Sequence, residues 1–307
     1  MDKPIVLEIR NENFRAGFVS ILGLPNSGKS TLTNALSGAR MAIVSPKPQT
    51  TRDHIKSIIT GPGYQIVLVD TPGFLQPYNA LEKKMARDVD RAMKDDADII
   101  CLLAEPETRV LTEKRLFFEK LPLGRKVFLV INKIDAYSPE KAEAAEKFLK
   151  EAVPGISSIF RISALNGTNV KNLKEEIVKN LPLSPPYYPD ERLSDRWERF
   201  FAAEIIRESI FNSYKDEIPY SCAVEIDVFE ENEREPSYIH AQIYVSRESH
   251  KPIIIGKGGR EIKKLRENSE KQMKKFLGRP VKLELFIKVR EKWQDDPEFI
   301  KRIYRSE

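Results

Sequence analysis

Cysteine is almost missing from this chain, with only Cys101 and Cys222 among 307 residues. That excludes a disulfide-stapled scaffold; both thiols fall in apolar, strand-like stretches and read as unpaired groups in a reducing cytosol. Long apolar runs are missing as well. No stretch approaches the ~18 apolar residues that a membrane span requires, so none is expected. The N-terminal MDKPIVLEIR carries charges within its apolar part and shows no cleavage-like pattern. There is no internal repeat and no low-complexity tract. Net charge is modest, +5 from 51 Lys/Arg and 46 Asp/Glu, so the chain as a whole is no polycation. Its length allows two domains, each with its own core.

What is present begins at residues 23–30, GLPNSGKS. The run fits Gly-x4-Gly-Lys-Ser, in which glycines let backbone N–H groups approach phosphate oxygens with no Cβ in the way. Its context suits that role. Residues 16–22 (AGFVSIL) predict a buried strand, and residues 30–36 (STLTNAL) a helix whose N-terminal dipole favours an anion. A glycine turn between strand and helix would share part of the pattern. As a phosphate loop, it makes Gly23, Leu24, Pro25, Asn26, Ser27, Gly28, Lys29, Ser30 and Thr31 candidate nucleotide contacts. Lys29 is expected to bridge the β- and γ-phosphates, and the Ser30 hydroxyl to sit on Mg²⁺.

The base is specified separately, by NKID at residues 132–135. It follows the predicted buried strand 126–131, and with Asn132 and Lys133 it places Asp135 where a carboxylate can accept from guanine N1–H and the 2-amino group together. Asn132 is expected to reach the imidazole edge of the base. Adenine lacks both donors and would leave the carboxylate unpaired, at a cost of ~2 kcal/mol or more. Between the two motifs lies DTPG, Asp70, Thr71, Pro72 and Gly73, after the apolar strand 64–69. Asp70 is expected to hold Mg²⁺ through water, and the Gly73 N–H to contact a γ-phosphate, giving the next segment two states. Ser163 and Ala164 end another strand and are expected to cover the base.

Phe74 follows DTPG where some GTPases carry a glutamine that orients the attacking water; Leu75 and Gln76 come only afterwards. Phe74 cannot orient water, so intrinsic hydrolysis is expected to be slow and to depend on a partner, a cation or an ordered switch.

Residues 181–191 (LPLSPPYYPDE) place four prolines within eight positions. They read as a stiff linker at 182–191 between a first domain, 1–181, and a second, 192–307. In the second domain a helical pattern over 198–211 precedes alternating stretches at 221–229 and 238–245. Ile253, Ile254 and Ile255 then lead into Gly256, Lys257, Gly258 and Gly259; a helix through about 276 and a strand at 281–289 follow. The order α-β-β-α-GxxG-α-β is that of a type II KH domain, whose glycine loop clamps single-stranded backbone beside an apolar groove. Residues 247–290 hold 14 Lys/Arg against 5 Glu and no Asp, a local balance of +9, as neutralisation of a phosphate backbone needs. Lys257 and Arg260 are the expected phosphate contacts, with Ile254, Ile255 and the glycine loop forming the RNA site. Lys271, Lys274 and Lys275 read as a solvated helix face.

The chain resembles the Era family of bacterial KH-domain GTPases. The resemblance rests on SPKPQTTRD (45–53), SDR with ERFFAAEIIRE (194–208), HKPIIIGKGG (250–259) and KVREKW (288–293), and spans nearly the whole chain. Ser27 departs from the family's usual Val, and Trp197 from its usual Pro; neither change removes a ligand, though Trp197 bears on how the second domain's first helix starts. The resemblance implies a mostly parallel α/β P-loop GTPase domain with helices on both faces, joined to an α+β type II KH domain. It places Thr50 and Thr51 in a first switch, with Thr51 joining Ser30 and Asp70 on Mg²⁺ and sharing the catalytic role with Lys29 and Gly73. Asn26 is either a turn former or, as in related GTPases, a potassium ligand; Arg52 is either a finger in cis or a salt-bridging switch residue. The implied partner is the 3′ end of 16S rRNA in the small ribosomal subunit, bound by a cytoplasmic monomer with GTP and released after hydrolysis. Peripheral contact with the inner face of the cell membrane is implied too, with only basic surface as an anchor. The alternative is an RNA chaperone or scaffold with nucleotide as a structural ligand.

Overall fold

A computed structural model describes residues 13–304, apart from 46, 48, 75, 76, 95, 96, 120–124, 154, 233 and 234. The N-terminal decapeptide and the pair Leu75 and Gln76, all used in reading the sequence, lie outside the described residues. The chain divides into two units. One holds Met1–Ala42, Asp53–Gln76 and Met85–Asp195; the other holds Ile43–Arg52, Pro77–Lys84 and Arg196–Glu307.

In chain order, the first unit contains β1 (Arg15–Gly23), α1 (Lys29–Ser37), β2 (Ile55–Gly61), β3 (Tyr64–Asp70) and most of α2 (Ala80–Lys94). There follow β4 (Ile99–Ala104), α3 (Thr108–Glu113), α4 (Arg115–Glu119), β5 (Lys126–Ile131), α5 (Pro139–Ala152), β6 (Ile156–Arg161) and α6 (Val170–Asn180). The sheet order is β2-β3-β1-β4-β5-β6. Only the β2–β3 pair is antiparallel. Strand β4, IICLLA, is buried along its whole length, as a parallel strand covered on both faces demands. On one face Leu32 and Leu36 of α1 and Leu173 and Ile177 of α6 pack with Ile21, Leu103 and Val130. On the other, Val89 and Met93 of α2, Phe117 and Phe118 of α4, and Ala145 and Leu149 of α5 close the core. Parallel registry pairs Ile21 with Asp70 and Ala104 with Ile131. The loops that carry chemistry therefore leave one edge of the sheet, as open α/β folds arrange them.

The proline stretch is tied to this unit rather than hanging free of it. Gln65, fully buried, accepts from the Tyr187 and Tyr188 N–H groups at 2.8 and 3.0 Å and donates to the Tyr188 carbonyl at 2.8 Å. Ser184 N–H donates to the Phe14 carbonyl at 3.1 Å, and the ring of Tyr187 lies 4.9 Å from that of Phe18. Extended proline-rich backbone leaves polar groups unpaired, and Gln65 satisfies several of them.

The second unit contains α7 (Glu198–Ser213), α8 (Ile218–Ser221), β7 (Cys222–Glu230), β8 (Ser237–Val245) and α9 (His250–Ile255). After a 3-10 turn at Lys257–Gly259 come α10 (Arg260–Leu277), β9 (Val281–Val289) and α11 (Pro297–Ile303). In the sheet β7-β8-β9, β8 pairs antiparallel with β7 and parallel with β9. Ile206 and Ile210 of α7 and Leu265 and Met273 of α10 pack on Ile239, Ile243 and Leu283. Helix α7 begins at Glu198, directly after Trp197, whose indole is 81% exposed; the start is intact without the proline. Residues 43–52 belong to this unit. Val44 N–H donates to Glu208 Oε1 at 3.1 Å, and Lys47 Nζ donates to the carbonyls of Phe211 and Tyr214.

Candidate functional site

The loop between β1 and α1 brings the phosphate-site residues together. Lys29 Nζ donates to the carbonyls of Gly23 (3.2 Å) and Leu24 (2.9 Å). Ser30 Oγ donates to Asp70 Oδ2 at 2.9 Å, and Asp70 Oδ1 is buried with no hydrogen-bond partner among the described residues. Both charges are uncomfortable. Burial pushes the Lys29 ammonium down to about 8 against the attraction of Asp70. Burial likewise pushes the Asp70 carboxyl up to about 6, opposed by Lys29 and by hydrogen bonds from Ser30 and the Thr71 backbone. An anion at Lys29 and a hard cation at the Ser30 and Asp70 oxygens would satisfy both groups, and this oxygen donor set fits Mg²⁺.

Gly28 lets the loop close on the base-side motif: a Cβ there would stand 2.2 Å from Asn132 Nδ2. Asn132 Nδ2 donates to the Ser27 carbonyl at 2.8 Å, and its Oδ1 accepts from the Ala164 N–H at 2.9 Å. Asn132 thus ties the phosphate loop to the Ser163-Ala164 turn, a role that the sequence reading did not include, and the second N–H of its amide is not used in either bond. Ser163 is buried and its Oγ accepts from the Asn166 N–H at 3.1 Å. Asp135 is exposed. Lys133 has a left-handed backbone, φ 63°, and its Nζ reaches Glu105 Oε2 at 2.7 Å. The sequence reading passed over Glu105, although its place immediately after β4, at the functional edge of the sheet, was a signal.

The DTPG segment is locked to the same loop. Thr71 Oγ1 donates to the Ile21 carbonyl at 2.9 Å, so its side chain serves the fold. Pro72 is buried. A Cβ on Gly73 would stand 2.8 Å from Pro25 Cα. Phe74 turns into the core, its ring 4.5 Å from that of Phe117. Asn26 is exposed with φ 64°, and Thr31 is half-buried. Thr51 is buried and belongs to the second unit, whereas Ser30 and Asp70 belong to the first. Arg52, 3% exposed, has no carboxylate partner among the described residues. It donates to the carbonyls of Cys222 (2.6 Å), Tyr220 (3.0 Å) and Pro219 (3.2 Å) and to the Tyr304 hydroxyl (3.0 Å).

In the second unit the glycine loop joins α9 to α10 as expected, with Lys257, Gly258 and Arg260 exposed and Gly256 and Gly259 half-buried. Gly258 has φ 63° inside the 3-10 turn, a conformation side chains resist. Ile254 departs from the sequence reading, which set its side chain in the RNA site. It is fully buried in the core, and its carbonyl accepts from the Tyr214 hydroxyl at 3.0 Å. Ile253, 48% exposed, and the half-buried Ile255 supply the accessible apolar surface. A helix turns successive residues by about 100°, so three isoleucines in a row cannot share one face.

These elements define a P-loop GTPase domain followed by a KH module. Residues 18–133 match the family described as a 50S ribosome-binding GTPase, and residues 217–294 match the KH domain. The GTPase Era of Elusimicrobium minutum is 41% identical over 292 residues, covering 95% of this chain and 97% of that protein. A single-residue variant of Aquifex aeolicus Era bound to GDP·AlF4⁻ superposes with a TM-score of 0.89 at 34% identity, covering 94% of this chain and 99% of that one. Era in complex with MgGDPNP and nucleotides 1506–1542 of 16S ribosomal RNA gives 0.87 at 34% identity, covering 94% and 98%. The chain belongs to the Era family of GTPases.

Proposed function

We propose that this GTPase is a nucleotide-controlled RNA-binding switch of small-subunit assembly: with GTP bound it engages the 3′ end of 16S rRNA, and hydrolysis releases it. The observation that carries this reading is the likeness, over 94% of the chain, to an Era held with MgGDPNP and nucleotides 1506–1542 of 16S rRNA. Ser30 and Asp70 would hold Mg²⁺, which neutralises phosphate charge when bound. Lys29 would leave the Gly23 and Leu24 carbonyls for the β- and γ-phosphates, Thr51 would be a further oxygen ligand in the GTP state, and Asp135 would read guanine. Gly73 N–H faces the γ-phosphate. With Phe74 packed against Phe117, no side chain at that position orients water. Asn26, exposed on the loop, would hold a potassium ion that supplies positive charge in its place; hydrolysis rates in potassium and in sodium test it. Lys257 and Arg260 neutralise RNA phosphates beside Ile253 and Ile255. The protein acts as a cytoplasmic monomer, with basic surface as the only basis for peripheral membrane contact.

γ-Phosphate contacts order the switch segments, and coupling between two sites is reciprocal. A fluorescent copy of the 16S rRNA 3′ end, titrated at fixed salt, is therefore expected to bind more tightly to protein loaded with a non-hydrolysable GTP analogue than with GDP. Equal affinity would favour a scaffold that uses nucleotide structurally; no binding in either state would remove the RNA assignment.

A further inference from the structure

Glu105 follows β4 directly and is where two side chains flanking Asp135 meet. Its Oε2 accepts from Lys133 Nζ at 2.7 Å, and its Oε1 accepts a short hydrogen bond from the Tyr137 hydroxyl. Lys133 stands two residues before Asp135 and Tyr137 two after it. One carboxylate thus holds both ends of the arc that carries the base-reading residue. The backbone of the arc is fixed as well: Ala136 N–H donates to the Lys133 carbonyl at 2.9 Å and Ile134 N–H to the Ile162 carbonyl at 3.2 Å. Within this frame the Asp135 carboxylate is exposed and has no hydrogen-bond or ion-pair partner among the described residues. Glu105 and Tyr137 also line a cavity of about 140 Å³ against Leu24, Pro25 and Ser27 of the phosphate loop.

A carboxylate that must meet two guanine donors at once gains from being held in place beforehand, because the ordering cost is then not charged against binding. The Lys133 ammonium and the Tyr137 hydroxyl both donate to the ionised Glu105, so each end of the arc is held by a charge-assisted hydrogen bond, the stronger kind. The Tyr137 hydroxyl stays protonated in this role, since its hydrogen bond to Glu105, burial and the nearby carboxylates push it up to about 12.

We propose that Glu105 is a positioning residue for guanine specificity, holding Lys133 and Tyr137 so that Asp135 meets the N1–H and the 2-amino group together. The inference deepens the nucleotide reading above and rests on it. Hypoxanthine lacks the 2-amino group, so discrimination between GDP and IDP reads the second Asp135 hydrogen bond alone, a quantity that a general packing role would not move.

The test is the affinity of the full chain for fluorescently labelled GDP, IDP and ADP, in the natural protein and in Glu105→Ala, Glu105→Gln and Tyr137→Phe. Glu105→Ala is expected to weaken GDP about tenfold, the scale of one charge-assisted hydrogen bond, and IDP clearly less, so that the GDP:IDP ratio shrinks. Glu105→Gln, which still accepts from Tyr137 but leaves Lys133 unneutralised, should fall between. An unchanged GDP affinity, or equal losses for GDP and IDP, overturns the proposal. If Glu105→Ala does not fold, Glu105→Gln and Tyr137→Phe carry the same comparison. Natural protein that does not separate GDP from IDP and ADP overturns the base reading itself, and the inference with it.

Discussion

Arg52 donates to the carbonyl of Cys222 at 2.6 Å, and this contact ties the residue after Thr51 to the point where β7 begins. The guanidinium also lies 5.8 Å from the ring of Phe211 and 5.6 Å from that of Trp293. Its donors therefore serve backbone carbonyls and a hydroxyl while its faces serve aromatic rings, a combination that only the planar fork of arginine allows.

Removing that fork leaves several buried carbonyls unpaired. Arg52→Ala is expected to lower stability by about 3 kcal/mol in urea unfolding, with Arg52→Lys recovering less than half. A cis arginine finger would instead show lost turnover at unchanged stability.

Asp70 makes metal-dependent nucleotide binding sensitive to acid. Its carboxyl is raised to about 6, above its ordinary 3.8, so in the folded protein Mg²⁺ must displace a proton below pH 6. The affinity for Mg²⁺-GDP is expected to fall up to about tenfold per pH unit below that point, and proton release on binding, followed by calorimetry in two buffers, checks it. The same shift sets the sign for stability without nucleotide: the folded state binds the extra proton between 3.8 and 6, so Asp70's contribution falls as pH rises through that window.

Lys29 acts at the alkaline end. Its ammonium is lowered to about 8, so between 8 and 10.5 the unfolded chain binds more protons and Lys29's contribution to stability rises with pH. Lys29→Met should flatten this alkaline dependence of the nucleotide-free protein and abolish tight GDP binding.

Phe74 is a packing residue. Phe74→Ala is expected to cost about 2 kcal/mol of stability and to leave single-turnover hydrolysis within about threefold of the natural rate, because changes below ~0.7 kcal/mol stay within that range. A tenfold loss at saturating nucleotide would give the ring a role in hydrolysis.

The RNA loop separates charge from core. Lys257→Ala and Arg260→Ala should each weaken RNA binding across sequences and reduce the salt slope by about 1. Ile253→Ser should weaken RNA binding with stability unchanged. Ile254→Ser should destabilise the second unit by ~3 kcal/mol or more.

Most of the fold could be read in advance because local patterns agree with it. Strands β5 and β9 have the bounds that hydrophobic periodicity predicted, and the phosphate, base and glycine-loop motifs stand at the strand and helix ends that their chemistry needs. Contiguous motifs carry their own geometry: a glycine loop opening a helix, or a carboxylate just beyond a strand end, is encoded within a few residues. The sequence by itself therefore determined the two modules and most candidate ligands. Only the tertiary structure decided what distant residues do to one another. Asn132 turned out to bridge Ser27 and Ala164, Arg52 to serve carbonyls some 170 positions away in the chain, Ile254 to sink into the core, and the proline stretch to be held by Gln65. Each follows from satisfying buried polar groups or filling a core, and such partners are chosen by proximity in space, which no spacing along the chain records.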